Sequence, residues 1–188
     1  MHRVLTVTLA LLAASASADA PDIDALQTEA RQLAQQFVGQ LKPQLKSAMQ
    51  EGGPAHAIQV CADRAPAIAD ALSSQSGWQV KRVSLKSRNA SRAVPDAWER
   101  EILLQFDARQ AAGEAPSQLN YGELAGSNYR YIQAQGVEPL CLVCHGDSLS
   151  QSVIDTLSEY YPDDWATGYT AGQVRGAISL VKPLPAQP

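Results

Sequence analysis

Residues 141–145 read Cys-Leu-Val-Cys-His, and no other feature restricts what this chain can become as tightly. Two thiols three residues apart leave about one helical turn on the same side, and His145 follows directly. The chain holds three cysteines in all. That odd number needs a reason in a protein bound for an oxidising compartment, where spare thiols pair off. The start of the chain predicts such a destination. His2 and Arg3 give a short positive start, residues 4–14 are apolar, and Ala16-Ser17-Ala18 offers a small-x-small cleavage site. Residues 1–18 therefore read as an export signal, with Ala20 as the alternative end. The apolar stretch is too short to span a bilayer, and no cysteine near the cleavage site suggests a lipid anchor. A soluble, periplasmic mature protein is the expectation.

In an exported chain, Cys-x-x-Cys-His is the attachment pattern for c-type haem. Cys141 and Cys144 can reach the two porphyrin vinyl groups as thioethers, and His145 then offers a nitrogen to iron. The rival readings fit less well. A thioredoxin-like dithiol needs a strand before the motif inside a βαβ unit, and Gln135-Gly136-Val137-Glu138-Pro139 does not read as a strand. A zinc site needs further ligands, and only Cys61 and His56 remain in the mature chain. A plain Cys141–Cys144 disulfide leaves His145 without a role.

A sixth iron ligand has three candidates: His56, Cys61 and Met49. His56 and Cys61 lie five residues apart, about 140° around a helix, so both cannot face one iron. Cys61 lies on an apolar stripe, either as a buried small side chain or as a thiolate on iron. Residue spacing leaves both open.

The chain length of 188 residues suits one domain, and the formal net charge of −4 gives no reason to bind nucleic acid or an anionic membrane. Lys81, Arg82, Lys86, Arg88 and Arg92 form a local basic cluster, read either as a solvated edge or as a partner for anionic groups such as haem propionates. Along the chain, Leu26, Ala30, Leu33, Phe37, Leu41 and Leu45 mark an amphipathic helix, kinked near Pro43 and stopped at Gly52-Gly53. A second helix starts at Pro54 and carries Ile58, Cys61, Ala65, Ile68 and Leu72 on one face, with a bend after Cys61 at Pro66. Residues 78–85 alternate as a strand, and a helix follows Pro95-Asp96 through Phe106 to Gly113. Residues 120–125 and 129–133 flank a hairpin turn, residues 150–160 form a short helix, and residues 177–181 form a last strand. Helices followed by an antiparallel sheet give an α+β class over a single domain at 22–184, with 185–188 as a frayed tail.

Several blocks carry a resemblance beyond the haem motif. They are Ala57-Ile58-Gln59-Val60-Cys61 with Ala65-Pro66-Ala67-Ile68, Arg82-Val83-Ser84-Leu85-Lys86 with Arg88-Asn89, Pro95-Asp96-Ala97-Trp98-Glu99, and Tyr129-Arg130-Tyr131. Pro139 through Gly146, Tyr161-Pro162-Asp163-Asp164, Gly168 and Arg175-Gly176-Ala177 complete the set. In this order the sequence resembles the exported PAS-like monohaem c-type domains with histidine/cysteine iron ligation, over about residues 25–184. Where that family continues its Arg-Asn segment with Pro and a second Asn, this chain has Ala90 and Arg92. The resemblance implies a PAS-like central antiparallel sheet with one covalent haem c packed against it. It implies His145 as the proximal iron ligand and Cys61 as the distal one, with Arg82 and Arg88 as candidate propionate partners. Two functions follow from such a site. The first is low-potential electron transfer with an unidentified redox partner protein. The alternative is a redox or gas sensor in which Cys61 leaves on reduction and CO or NO binds. A sulfur-compound oxidoreductase ranks third, because such enzymes usually carry a second haem motif. No Ser-His-Asp set, paired carboxylates or phosphate loop points to an enzyme.

Overall fold

The computed structural model describes residues 20–185. The export signal expected over 1–18 lies outside the described residues, and so do 186–188 of the expected tail. Helix α1 spans Ile23–Ser76, opened by the Asp22 carboxylate accepting from the Ala25 amide and closed by Gly77 at φ 70°. Its helical dihedrals break only at Gly53, with φ 70° and ψ −165°. That is glycine territory, and it divides the element as the Gly52-Gly53-Pro54 run predicts. Leu33, Phe37 and Leu41 from the first half share a core with Ala65, Ile68 and Leu72 from the second. Arg64 donates to the Gln44 side chain at 2.8 Å, so the halves fold back on each other about Gly53. The helical dihedrals continue through Pro43 and Pro66, where the sequence predicts a kink and a bend. Each proline removes one backbone hydrogen bond, and the packed turns on either side hold the dihedrals.

Strand β1 (Gln79–Val83) follows, then a short turn of helix α2 (Ala90–Ala93) that the sequence reading lacked. Helix α3 (Ala97–Ala111) begins with a reciprocal capping box between Asp96 and Glu99. Strands β2 (Asn120–Ala125) and β3 (Asn128–Gly136) meet at Gly126-Ser127, with Gly126 at φ 61°, the geometry that two-residue hairpins favour. A 3₁₀ turn at Pro139–Cys141 leads into α4 (Leu142–His145). Helix α5 (Gln151–Tyr160) and strand β4 (Val174–Pro183) complete the chain.

The four strands form one antiparallel sheet in the order β1-β4-β3-β2. Its two faces differ in company. Val80, Tyr129, Tyr131, Ile178 and Leu180 pack on α1, while Val83, Ile132, Ala134 and Ala177 pack on Ile102, Leu103 and Phe106 of α3. Helices on both faces explain why β4 is buried along most of its length. The α+β class expected from the sequence is the class observed. Strand ends moved, however. β1 stops at Val83 because the Ser84 side chain turns to the Arg175 and Lys86 carbonyls. β3 runs on to Gly136, so a strand does precede the Cys-x-x-Cys run, contrary to the sequence reading. The all-antiparallel sheet still contains no βαβ unit of the thioredoxin kind. Among the described residues no helix is long and apolar enough to cross a membrane.

Candidate functional site

The motif sits at the end of β3, wound tightly by its own glycine. The Gly146 amide bonds the Leu142 carbonyl at 2.9 Å, and a Cβ on Gly146 would come within 2.6 Å of that oxygen. Cys141 and Cys144 are half-buried and join different apolar clusters. Cys141 packs with Val137, Ala166 and Tyr169, whereas Cys144 packs with Ile58, Val153 and Leu157. All three cysteines are free thiols.

Cys61 reaches this place from α1. Ile58, one helical turn before it, belongs to the cluster that holds Cys144. Burial pushes the Cys61 thiol up, while the nearby charges of Arg82 and Arg88 work to bring it down. His56 lies elsewhere, 4.0 Å from Glu51 at the hinge, and Met49 precedes the hinge. Cys61 is therefore the one of the three candidates brought to the motif.

The His145 ring is held from several sides. Its Nδ1 lies 2.7 Å from the Ala166 carbonyl and its face meets Tyr169 edge-on. Arg175 Nε also approaches Nδ1, at 3.1 Å, and Arg88 Nη1 lies 3.4 Å from Nε2. A nitrogen that donates cannot also accept. We assign the proton to Nδ1 on the shorter contact to Ala166, which leaves Nε2 as the acceptor, facing Arg88 Nη1. Burial, then the Arg175 and Arg88 charges, push this imidazole well below its ordinary range, so it is neutral. A neutral ring oriented through Nδ1–H to a backbone carbonyl is the usual arrangement of a metal-ligating histidine.

The loop that supplies Ala166 is itself secured. Arg88 forms an ion pair with Asp164 at 3.0 Å and donates to the carbonyls of Cys144 at 2.5 Å and Ala166 at 3.3 Å. The Gly168 amide bonds the Gly146 carbonyl, and the Tyr169 amide bonds that of His145. Arg175 donates to Ser84 Oγ and the Lys86 carbonyl, and burial, with Arg82 adding to it, lowers it to about 10, so it keeps its charge at neutral pH.

The basic cluster divides by face. Lys81 pairs with Glu99 on the α3 side, Arg92 pairs with Asp70, and Lys86 reaches the Thr167 carbonyl. Arg82 stands opposite Ile178 on the α1 face of the sheet. The neighbours acting on its charge are Cys61, Tyr161, Arg88 and Cys141, and none is a carboxylate. Arg82, Arg88 and Arg175 thus bring three positive charges to one place, answered by Asp164.

These residues suit a porphyrin better than a bare ion. Among the described residues, no three His, Cys, Asp or Glu side chains converge as ligands of one metal. Instead, paired thiols flank a neutral imidazole, a third thiol approaches from α1, and surplus positive charge suits acidic substituents. Sequence reasoning missed the parts played by Asp164, Ala166, Tyr169 and Arg175. Asp164 and Arg175 stand in blocks that carried the resemblance, but the Ala166 carbonyl leaves no trace in residue identity.

No curated protein matches the chain. A crystal structure of the cyanobacterial heme-protein Tll0287 is similar, at 26% identity and a TM-score of 0.62, over 88% of this chain and 97% of that one. The Tll0287-like family model matches residues 19–183, which takes in the hinge, the sheet and every residue of the site. The chain belongs to the Tll0287-like family.

Proposed function

We propose that this is an exported, periplasmic haem c protein that carries single electrons at low potential and is not an enzyme. In this reading Cys141 and Cys144 hold one porphyrin as thioethers, His145 Nε2 is the proximal iron ligand, and Cys61 is the distal one. Arg82 is the first propionate partner, with Arg88 the second. When bound, the haem supplies a one-electron Fe(III)/Fe(II) couple. The protein's part is to set that couple. A thiolate at Cys61 donates strongly and favours the ferric state, which lowers the potential relative to a thioether ligand. Ala166 fixes the orientation of His145 and raises its donor strength through the Nδ1–H bond. The observation that carries the reading is a neutral, carbonyl-anchored His145, with an unprotonated Nε2, beside the paired thiols.

One observation favours a second reading. Cys61 rides on the half of α1 that turns about Gly53, so loss of the Cys61 bond on reduction would free a hinged helix and open a coordination position to CO or NO. That is a sensor. A sulfur-compound oxidoreductase has no comparable support.

The test is an absorption spectrum of periplasmically matured protein, oxidised, then reduced with dithionite, then exposed to CO. A low-spin thiolate signature that survives reduction without CO uptake supports the carrier. Loss of that signature with a CO complex replaces it with the sensor, and absence of haem removes both. Cys61→Ser is expected to keep covalent haem and lose the thiolate bands.

A further inference from the structure

Among the large apolar side chains of the described residues, Trp165 is the most exposed, at 72% of its surface. Its position is not that of a loose loop. Its amide bonds the Ser87 carbonyl at 2.9 Å, and the next amide, Ala166, bonds Asp164 Oδ1 at 2.8 Å. Both chain neighbours are tied into the site: Asp164 pairs with Arg88, and the Ala166 carbonyl accepts from His145. A rigid backbone thus presents an indole to solvent one peptide unit and one hydrogen bond from the imidazole. Leaving this much indole in water forgoes burial free energy, and tryptophan is the residue type most enriched among binding hot spots. Two exposed carboxylates lie on this loop and on the segment bonded to it. Asp163 is exposed two positions before Trp165, and Asp147 is exposed beside Gly146, whose carbonyl bonds this loop. Lys86, exposed beside the Ser87 that bonds Trp165, is the nearby cation, and its amine is engaged with the Thr167 carbonyl. The chain as a whole carries −4.

We propose that Trp165, rimmed by Asp163 and Asp147, is the docking contact for a redox protein whose own contact surface is lysine-rich. The proposal rests on the carrier reading above. In the complex one electron passes from the reduced centre of this chain to the oxidised centre of the partner, with no bond or proton changing hands. The Ala166 carbonyl and His145 Nδ1–H form the shortest bonded route between that contact and the proximal ligand. Opposite surface charge speeds encounter, and the indole supplies the buried centre of the contact.

A lysine-rich cytochrome c serves as the cationic probe and a flavodoxin as the anionic one. Binding is measured by calorimetry at low ionic strength with both proteins oxidised, so that this readout involves no electron transfer. Stopped-flow oxidation of the reduced chain gives the rate. Trp165→Ala is expected to weaken cytochrome binding and slow the second-order rate by about tenfold or more, with absorption spectrum and potential unchanged. Trp165→Phe recovers part of both, and Asp163→Asn flattens the dependence on ionic strength. Binding by Trp165→Ala within twofold of the parent overturns the proposal, as does tighter binding of flavodoxin or self-association of the parent through this face. Failure of the carrier reading is visible separately, as the absence of reversible reduction in the parent protein.

Discussion

Arg88 illustrates how much one side chain can decide. Its guanidinium joins Asp164, the Cys144 carbonyl and the Ala166 carbonyl, and so ties the motif to the loop that orients His145. Both members of the ion pair are largely buried, at 12% and 9% side-chain exposure. Arg88→Ala would leave Asp164 charged and unpaired, a loss of about 3–5 kcal/mol. Thermal melts check this, and the double variant with Asp164→Asn is expected to recover part of the loss. Asp96 offers a second prediction at this scale. Burial raises its carboxyl, but the Glu99 amide and Arg130 outweigh that and hold it below its usual range. A depressed carboxyl adds stability that is complete above the unfolded value, about 4, and is lost as pH falls through the folded value. Melting temperature against pH should drop more steeply below about pH 4 in the parent than in Asp96→Asn, which keeps a capping oxygen but cannot titrate.

At the scale of elements, α1 depends on one backbone conformation. Gly53 has φ 70° and ψ −165°, a region that side chains avoid at a cost of about 1–3 kcal/mol. Gly53→Ala meets no atom within 4 Å, so its expected destabilisation is that backbone cost alone. Gly39 is the counterexample, an exposed helical position with equally open space. Gly39→Ala is expected to stabilise by about 0.4–1 kcal/mol, and chemical denaturation of both variants reads the two signs. The prolines of α1 teach the complementary lesson. Pro43 and Pro66 predict a kink and a bend in the sequence, and the helix continues through both, because the apolar faces around them are buried against the same core. Strand lengths differ for a similar reason. β3 gains Gln135 and Gly136 from its pairing with β4, a partner invisible from either segment alone.

For the whole molecule, the candidate site gathers Cys61 from α1, Arg82 from β1, Arg88 from the following loop, the motif from α4, Asp164 and Ala166 from a loop, and Arg175 from β4. A covalently attached group touching these elements would resist their separation. Cys141→Ala with Cys144→Ala is therefore expected to abolish covalent haem and to melt several degrees below the loaded parent, read by pyridine haemochrome and calorimetry; covalent haem surviving in that variant would sink the attachment claim. The sequence by itself determined what short range controls. The Cys141, Cys144 and His145 spacing, the Asp96 cap, the Gly126 turn and the break at Gly53 follow from covalent geometry and local backbone preference, and the helix stripes follow from burial of one face. Tertiary structure alone decided that Cys61, rather than His56 or Met49, meets the motif, and that a carbonyl at Ala166 selects the tautomer of His145. It also decided that Arg82 turns toward α1 while Lys81 turns to Glu99. Those outcomes depend on strand register and on the fold-back at Gly53, which bring together residues as far apart as Cys61 and Cys144 in a relation that no local pattern encodes.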